Sequence, residues 1–221
     1  TIEVVASVNQ WGTVAKTLGG DNVNVTSIIN STNVDAHDYE PTTSDIAKLQ
    51  KAQVIIVNGA GYDAWAVKAA QSANVTIVNA AAVGGVNDGE NPHVWFSADV
   101  RKAVAQAITE AYEQADAAKK SDFDKLHDQW KSEENNVESK IAEVKQKSDG
   151  LAYAATESVA SYLAEDMGLT DATPSGYARA TANESEPTPT DIKQFTDALK
   201  AGEIKLLVVN TQEESEDRKS T

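Results

Sequence analysis

Apolar and polar positions along the chain fall into alternating strand-like and helix-like blocks. Ile2–Ser7 and Val23–Ile29 are short segments rich in β-branched residues. Val54-Ile55-Ile56-Val57 forms an unbroken apolar run inside Gln53–Asn58, the pattern of a strand buried on both faces. Val75–Val78 reads as another buried strand. Helical patterns over Asn9–Leu18, Ser44–Lys51 and Tyr62–Gln71 lie between them. Gly19-Gly20 stops the first of these, and Ser44 is the expected N-cap of the second. This alternation predicts a parallel sheet with helices on both faces. Ligands of such sheets bind beyond the carboxyl ends of the strands. The polar stretches Asn30–Thr43 and Ala81–Pro92 belong there.

Two longer helices follow. Val100, Val104, Ala107, Ile108 and Ala111 share one helical face. Phe123, Leu126, Trp130, Val137, Ile141 and Val144 continue a stripe from Ser121 to Lys147. A helix of about 27 residues spans about 40 Å at 1.5 Å per residue, and Ser148-Asp149-Gly150 ends it. A second α/β block then begins, with strands at Leu151–Ala155 and Ile204–Val209 and helices at Ser158–Met167 and Pro189–Lys200. Two strands in about 70 residues make a thin lobe. The expected fold class is α/β, in two Rossmann-like lobes: 1–118, a linker helix at 119–149, and 150–221.

Length and composition agree with this. The 221 residues, 41% apolar and 24% charged, fit one or two globular domains of about 100–200 residues each. The net charge of −15, from 19 basic and 34 acidic residues, argues against nucleic acid, whose affinity comes from cations on phosphates. It argues equally against docking on an anionic membrane, and it suits attraction of cations. The acids Glu184, Glu186, Glu213, Glu214, Glu216 and Asp217 read as a solvated charge run. With no cysteine, thiol catalysis, cysteine-zinc sites and disulfides are excluded. No apolar run approaches the roughly 18 residues of a membrane span. The N-terminal Thr1-Ile2-Glu3-Val4-Val5 lacks the pattern of a signal segment. The chain is therefore expected to be cytoplasmic, or to have lost such a segment.

Candidate chemistry sits in the loops. His37 lies in Asp35-Ala36-His37-Asp38-Tyr39-Glu40-Pro41, and His93 in Gly89-Glu90-Asn91-Pro92-His93-Val94-Trp95. Imidazole is the commonest neutral metal ligand, neighbouring carboxylates can orient its second nitrogen, and Pro41 and Pro92 stiffen both loops. From spacing alone two loop histidines are weak evidence for a shared metal, and two exposed or capping histidines are the plainer reading. His127, on the long helix beside the apolar stripe, reads as a solvated histidine. Glu157, in Ala154-Ala155-Thr156-Glu157-Ser158, lies where a strand turns into a helix. It fits either a crevice carboxylate or a carboxylate favoured by a helix N-terminus. No phosphate loop, full dinucleotide fingerprint or nucleophile elbow occurs. Gly59-Ala60-Gly61 follows a strand but has no third glycine at the right spacing.

The motif Asp35-Ala36-His37-Asp38-Tyr39-Glu40-Pro41-Thr42 resembles the first ligand loop of the metal-binding lipoproteins of bacterial ABC importers for zinc and manganese, usually D-P-H-x-Y-E-P-T/S. Asn91-Pro92-His93-Val94-Trp95 resembles their second loop, usually D-P-H-x-W. Ala36 and Asn91 depart from these patterns. Val57–Trp65, Ala155–Leu163 and Asn183–Pro189 are similar to further segments in the same order. The resemblance runs from about Ile2 to Gln212.

It implies two α/β lobes joined by one long rigid helix, with a metal ion held in the cleft between them by His37, His93 and Glu157. It also implies an ABC permease as partner, a monomer, and an extracellular, cell-surface or periplasmic location. Contact with a membrane would run only through an N-terminal lipid anchor absent from this sequence. The family's fourth ligand is expected beyond Thr221, which points to a chain truncated at its C-terminal end.

Two imidazoles and a carboxylate suit Zn²⁺ or Mn²⁺. Zinc sub-families commonly carry a third histidine and a His-rich loop. Here Glu157 holds the third position, and Ala81–Pro92 contains no histidine. Oxygen ligands lean toward manganese, whereas the general affinity order favours zinc. Two other readings stay open: a metal-dependent hydrolase using the same residues, and an adhesion protein with a structural metal.

Overall fold

The computed structural model describes residues 1–211. The expected acidic run at Glu213, Glu214, Glu216 and Asp217 lies outside them. Glu184 and Glu186 are exposed, as a solvated charge run requires. The chain divides into two compact units, Thr1–Glu138 and a second that begins at Ser139.

The first unit is a four-stranded parallel sheet. Its strands are β1 (Ile2–Val8), β2 (Val23–Ile29), β3 (Val54–Val57) and β4 (Thr76–Asn79), in the order β2-β1-β3-β4. Register runs Ile2 to Val23 and Val4 to Val54, and β3 pairs with β4 from Val54 to Thr76. Its helices are α1 (Asn9–Gly19), α2 (Thr43–Lys51), α3 (Ala64–Gln71), the short α4 (Ala80–Val83) and α5 (Ala98–Ala115). Strand side chains alternate between faces. Val5, Ile55 and Val57 accordingly pack with Leu49 of α2 and Ala66 and Ala70 of α3. On α5, Tyr112 donates its hydroxyl to the Ala15 carbonyl of α1 at 3.0 Å.

Several expectations are corrected. The N-cap of α2 is Thr42, not Ser44. The Thr42 hydroxyl accepts from the Asp45 N–H, and Asp45 accepts from the Thr42 N–H, a reciprocal capping box. Strand β4 is not buried on both faces. It is the sheet edge, bonded only to β3, and Ile77 is exposed.

The long helix α6 (Lys120–Ser148) has 29 residues, close to the sequence reading. Its buried positions are Phe123, His127, Trp130 and Glu134, spaced as one helical face. His127 is therefore buried rather than solvated: it stands on the stripe between Phe123 and Trp130. The stripe does not continue as expected, because Val137 and Val144 are exposed. Val137 stands at the end of the first unit, and Val144 belongs to the second.

The second unit holds a three-stranded parallel sheet, β5 (Ala152–Ala155), β6 (Thr170–Asp171) and β7 (Leu206–Val208), in the order β6-β5-β7. Helices α7 (Ser161–Asp166), α8 (Ser175–Ala182) and α9 (Pro189–Lys200) accompany it. The sequence pattern misses β6 and α8. β6 is two exposed residues, and α8 is a short helix of mostly small and polar residues. Ala154, Tyr177, Phe195 and Ile204 form one core cluster. Tyr153, Ala155 and Ala164 form another.

Candidate metal centre

In the first unit the strand order reverses between β1 and β3, and the chain leaving β3 builds the candidate site. Gly59, Ala60 and Gly61 all have positive φ, at 77°, 51° and 79°. At Gly59 the close approach of the Asn79 side chain leaves no room for a Cβ, which would meet Asn79 Oδ1 at 2.1 Å. This turn is held by the buried carboxylate of Asp63. Asp63 accepts from the Ser7 hydroxyl at 2.5 Å, the Asn58 N–H at 2.7 Å and the Gly59 N–H at 2.9 Å. Burial pushes the Asp63 carboxyl above its usual range, against the pull of those three donors.

The turn reaches both histidine loops. Tyr62 sets its ring against His37, with centroids 4.8 Å apart, and against His93, at 5.9 Å, both edge-on. Trp65 Nε1 donates to the Ala36 carbonyl at 3.2 Å, one residue before His37. Asn58 Nδ2 donates to the Pro92 carbonyl at 2.8 Å, one residue before His93. The Asn58 Oδ1 accepts from Trp11 Nε1 at 2.9 Å. One eight-residue segment therefore carries a bond or ring contact to each loop.

Each loop is also ordered locally. The His37 N–H donates to Asp35 Oδ1 at 2.9 Å. The Tyr39 ring packs on Trp65 at 4.9 Å, and its hydroxyl donates to Asp45 at 2.7 Å. That bond, with burial, pushes the phenol up to about 12. Burial works to raise Asp45, but the bonds from Tyr39 and Thr42 and the charge of Lys48 outweigh it and hold the carboxyl below its usual range. In the second loop, Asn91 Oδ1 faces both the His93 N–H, at 3.2 Å, and His93 Nδ1, at 2.6 Å. An amide oxygen only accepts. This contact suits the tautomer with its proton on Nδ1, which in the neutral ring leaves the Nε2 lone pair for a metal ion.

Glu157 lies in the second unit, past the end of β5. It precedes the 3-10 turn Ser158–Ala160 but makes no capping bond there. Its Oε2 accepts from Asn210 Nδ2 at 2.5 Å. Asn210 follows β7, and its N–H donates to Thr156 Oγ1 at 3.2 Å. The structure thus brings His37 and His93 together around Tyr62 and places Glu157 beside Asn210. Among the described residues no three His, Cys, Asp or Glu side chains gather into a metal-holding group.

Sequence reasoning included Asn58, Tyr62 and Asp63 in the Val57–Trp65 resemblance but gave them no role in the site, and it missed Asn210.

Parallel α/β units with ordered side chains in the loops beyond the strand ends are a scaffold suited to binding a ligand. The chain belongs to the family described as zinc-uptake complex component A, periplasmic, whose model matches residues 4–220. This is a family of substrate-binding proteins of ABC transporters. A metal ABC transporter substrate-binding lipoprotein of Lactococcus lactis is 26% identical over 230 residues, covering 95% of this chain and 71% of the relative. The manganese ABC transporter substrate-binding lipoprotein PsaA of Streptococcus anginosus is 24% identical over 231 residues, covering 95% and 72%. The crystal structure of a ZnuA superposes with a TM-score of 0.83 at 18% identity, covering all of this chain and 86% of that one. The α/β fold expected from sequence is that of these proteins. Among the described residues no helix is long and apolar enough to cross a membrane.

Proposed function

We propose that this protein captures one divalent transition metal ion, zinc or manganese, and hands it to the permease of an ABC importer. His37, His93 and Glu157 are the proposed ligands. The protein would act as a monomer outside the cytoplasm, where its lipoprotein relatives and its periplasmic family work. The observation that carries the reading is the pair of histidines packed on Tyr62, each in a loop braced from the same turn. Two imidazoles held in advance lower the ordering cost of capture. A carrier needs this arrangement and needs no general base, so we take the protein to bind without turnover.

Native mass spectrometry of metal-stripped protein, titrated with Zn²⁺ and Mn²⁺ separately and in competition, tests the reading. One ion retained per chain is expected. His37→Ala and His93→Ala should each weaken binding by about tenfold or more, since each removes a ligand. Unchanged affinity in both variants would overturn the ligand assignment. Metal-dependent cleavage of ester or peptide probes would turn the reading toward a hydrolase.

A further inference from the structure

Next to the His93 loop lies a charged pair that metal capture by the three proposed ligands does not use. Glu134 stands on the buried face of α6, where the spacing from Phe123, His127 and Trp130 calls for an apolar side chain. Its side chain is 7% exposed, and Arg101 of α5 grips it. Arg101 Nε lies 3.1 and 3.2 Å from the two carboxylate oxygens, and Nη2 lies 2.5 Å from Oε1. The remaining arm, Nη1, donates to the Trp95 carbonyl at 3.1 Å. Trp95 is two residues beyond His93, and their rings are 5.4 Å apart. Asn58 holds the carbonyl on the other side of His93.

A buried ion pair removes two charges from water and commonly gives no more stability than apolar residues of the same volume. Its place on an otherwise largely apolar face therefore points to a geometric role, and the third bond of the guanidinium supplies one. The planar fork bonds both carboxylate oxygens and a carbonyl from fixed directions; an ammonium has three donors but not that fixed geometry.

We propose that Arg101, locked by Glu134, is a positioning residue that holds the Trp95 carbonyl and so keeps the His93 imidazole in its metal-capturing orientation. The proposal rests on His93 being a ligand. Arg101 acts through the loop, and Glu134 acts through Arg101.

The test is the double variant Arg101→Met/Glu134→Leu, which leaves neither charge without its partner. Thermal unfolding and calorimetric titration with Zn²⁺ and with Mn²⁺ are measured on the full chain. The unfolding temperature should stay within a few degrees of the parent, while metal affinity falls about tenfold, the usual scale for losing an outer support of a ligand. The same two substitutions placed on His93→Ala should add no further loss, because their effect runs through that residue. Arg101→Lys keeps a charge beside Glu134 but loses the fork, and it should weaken binding in the same direction. It also carries the comparison should the double variant unfold.

Parent-like affinity in a folded double variant or in Arg101→Lys would overturn the proposal. So would a loss that adds in full to that of His93→Ala. A His93→Ala variant that binds metal like the parent overturns the ligand assignment, and this proposal with it, which separates the two failures.

Discussion

Trp65 donates its indole N–H to the carbonyl of Ala36 at 3.2 Å, across 29 residues of chain. The bond ties the start of α3 to the loop that carries His37, and the Tyr39 ring packs on the same indole. Trp65→Phe keeps a ring beside Tyr39 and deletes the donor. It should cost about 1 kcal/mol of unfolding free energy, as a partly buried hydrogen bond does, and it should weaken metal binding. Urea unfolding and metal titration check this. A variant equal to the parent in both would mean that the bond does not hold the His37 loop.

The turn between β3 and α3 depends on Asp63. Its carboxylate serves three donors, the Ser7 hydroxyl and two backbone N–H groups, and all of these residues are buried. Asp63→Ala leaves the donors without an acceptor, at about 1–3 kcal/mol for each one unmet. The variant should be among the most damaging single changes in the first unit. Gly59→Ala should also destabilise it, since φ is +77° and the new Cβ would meet the Asn79 amide at 2.1 Å. Chemical unfolding of the metal-free variants measures both. A loss below about 1 kcal/mol in Asp63→Ala would mean that water replaces the carboxylate.

Strands and helices with strong periodicity were legible in the sequence. Val23–Ile29 and Pro189–Lys200 lie at the bounds the pattern gives, because a β-branched cluster and a Thr-Pro-x-Asp start are local signals. The Thr42–Asp45 box was present in the sequence too, but Ser44 drew the cap assignment two residues too far. What the sequence did not carry is long-range. Whether a stripe on α6 is covered depends on packing by residues distant in sequence, so His127 is buried and Val137 exposed. The histidine motifs were visible as motifs. Their common brace was not, because Asn58, Tyr62 and Trp65 reach them only through the sheet's chain reversal.

The buried His127 gives the fold a pH dependence. Burial, with the charge of Lys131 beside it, lowers its pKa below the usual 6.5, against Asp128, Asp124 and Glu113, which pull it up. The folded protein therefore binds this proton less readily than the unfolded chain. The stability contributed is full above pH 6.5 and is lost as pH falls below that value toward the lowered folded pKa. His127→Gln stays neutral and should flatten that part of the profile. Thermal unfolding of metal-free parent and variant between pH 7.5 and 5 checks it. Parallel curves for the two proteins would assign the acid loss to other groups.

Asn210 should matter to metal capture even though an amide is not among the proposed ligands. Its Nδ2 donates to Glu157 Oε2 at 2.5 Å, and its backbone N–H is pinned to Thr156 Oγ1 at 3.2 Å. Both residues leave the carboxyl ends of neighbouring strands, β5 and β7. Donor and carboxylate thus stand side by side past the ends of paired strands. A ligand oxygen held by such an outer bond binds with less rotamer freedom to lose. Asn210→Ala should therefore reduce metal affinity about tenfold with little change in stability, because Glu157 and Asn210 are only half-buried. Glu157→Gln should lose more, since it removes the anionic oxygen. Combining the two should give little beyond Glu157→Gln alone if Asn210 acts only by orienting that side chain. Calorimetric titration of the four proteins decides the matter, and full additivity of the two losses would separate Asn210 from Glu157.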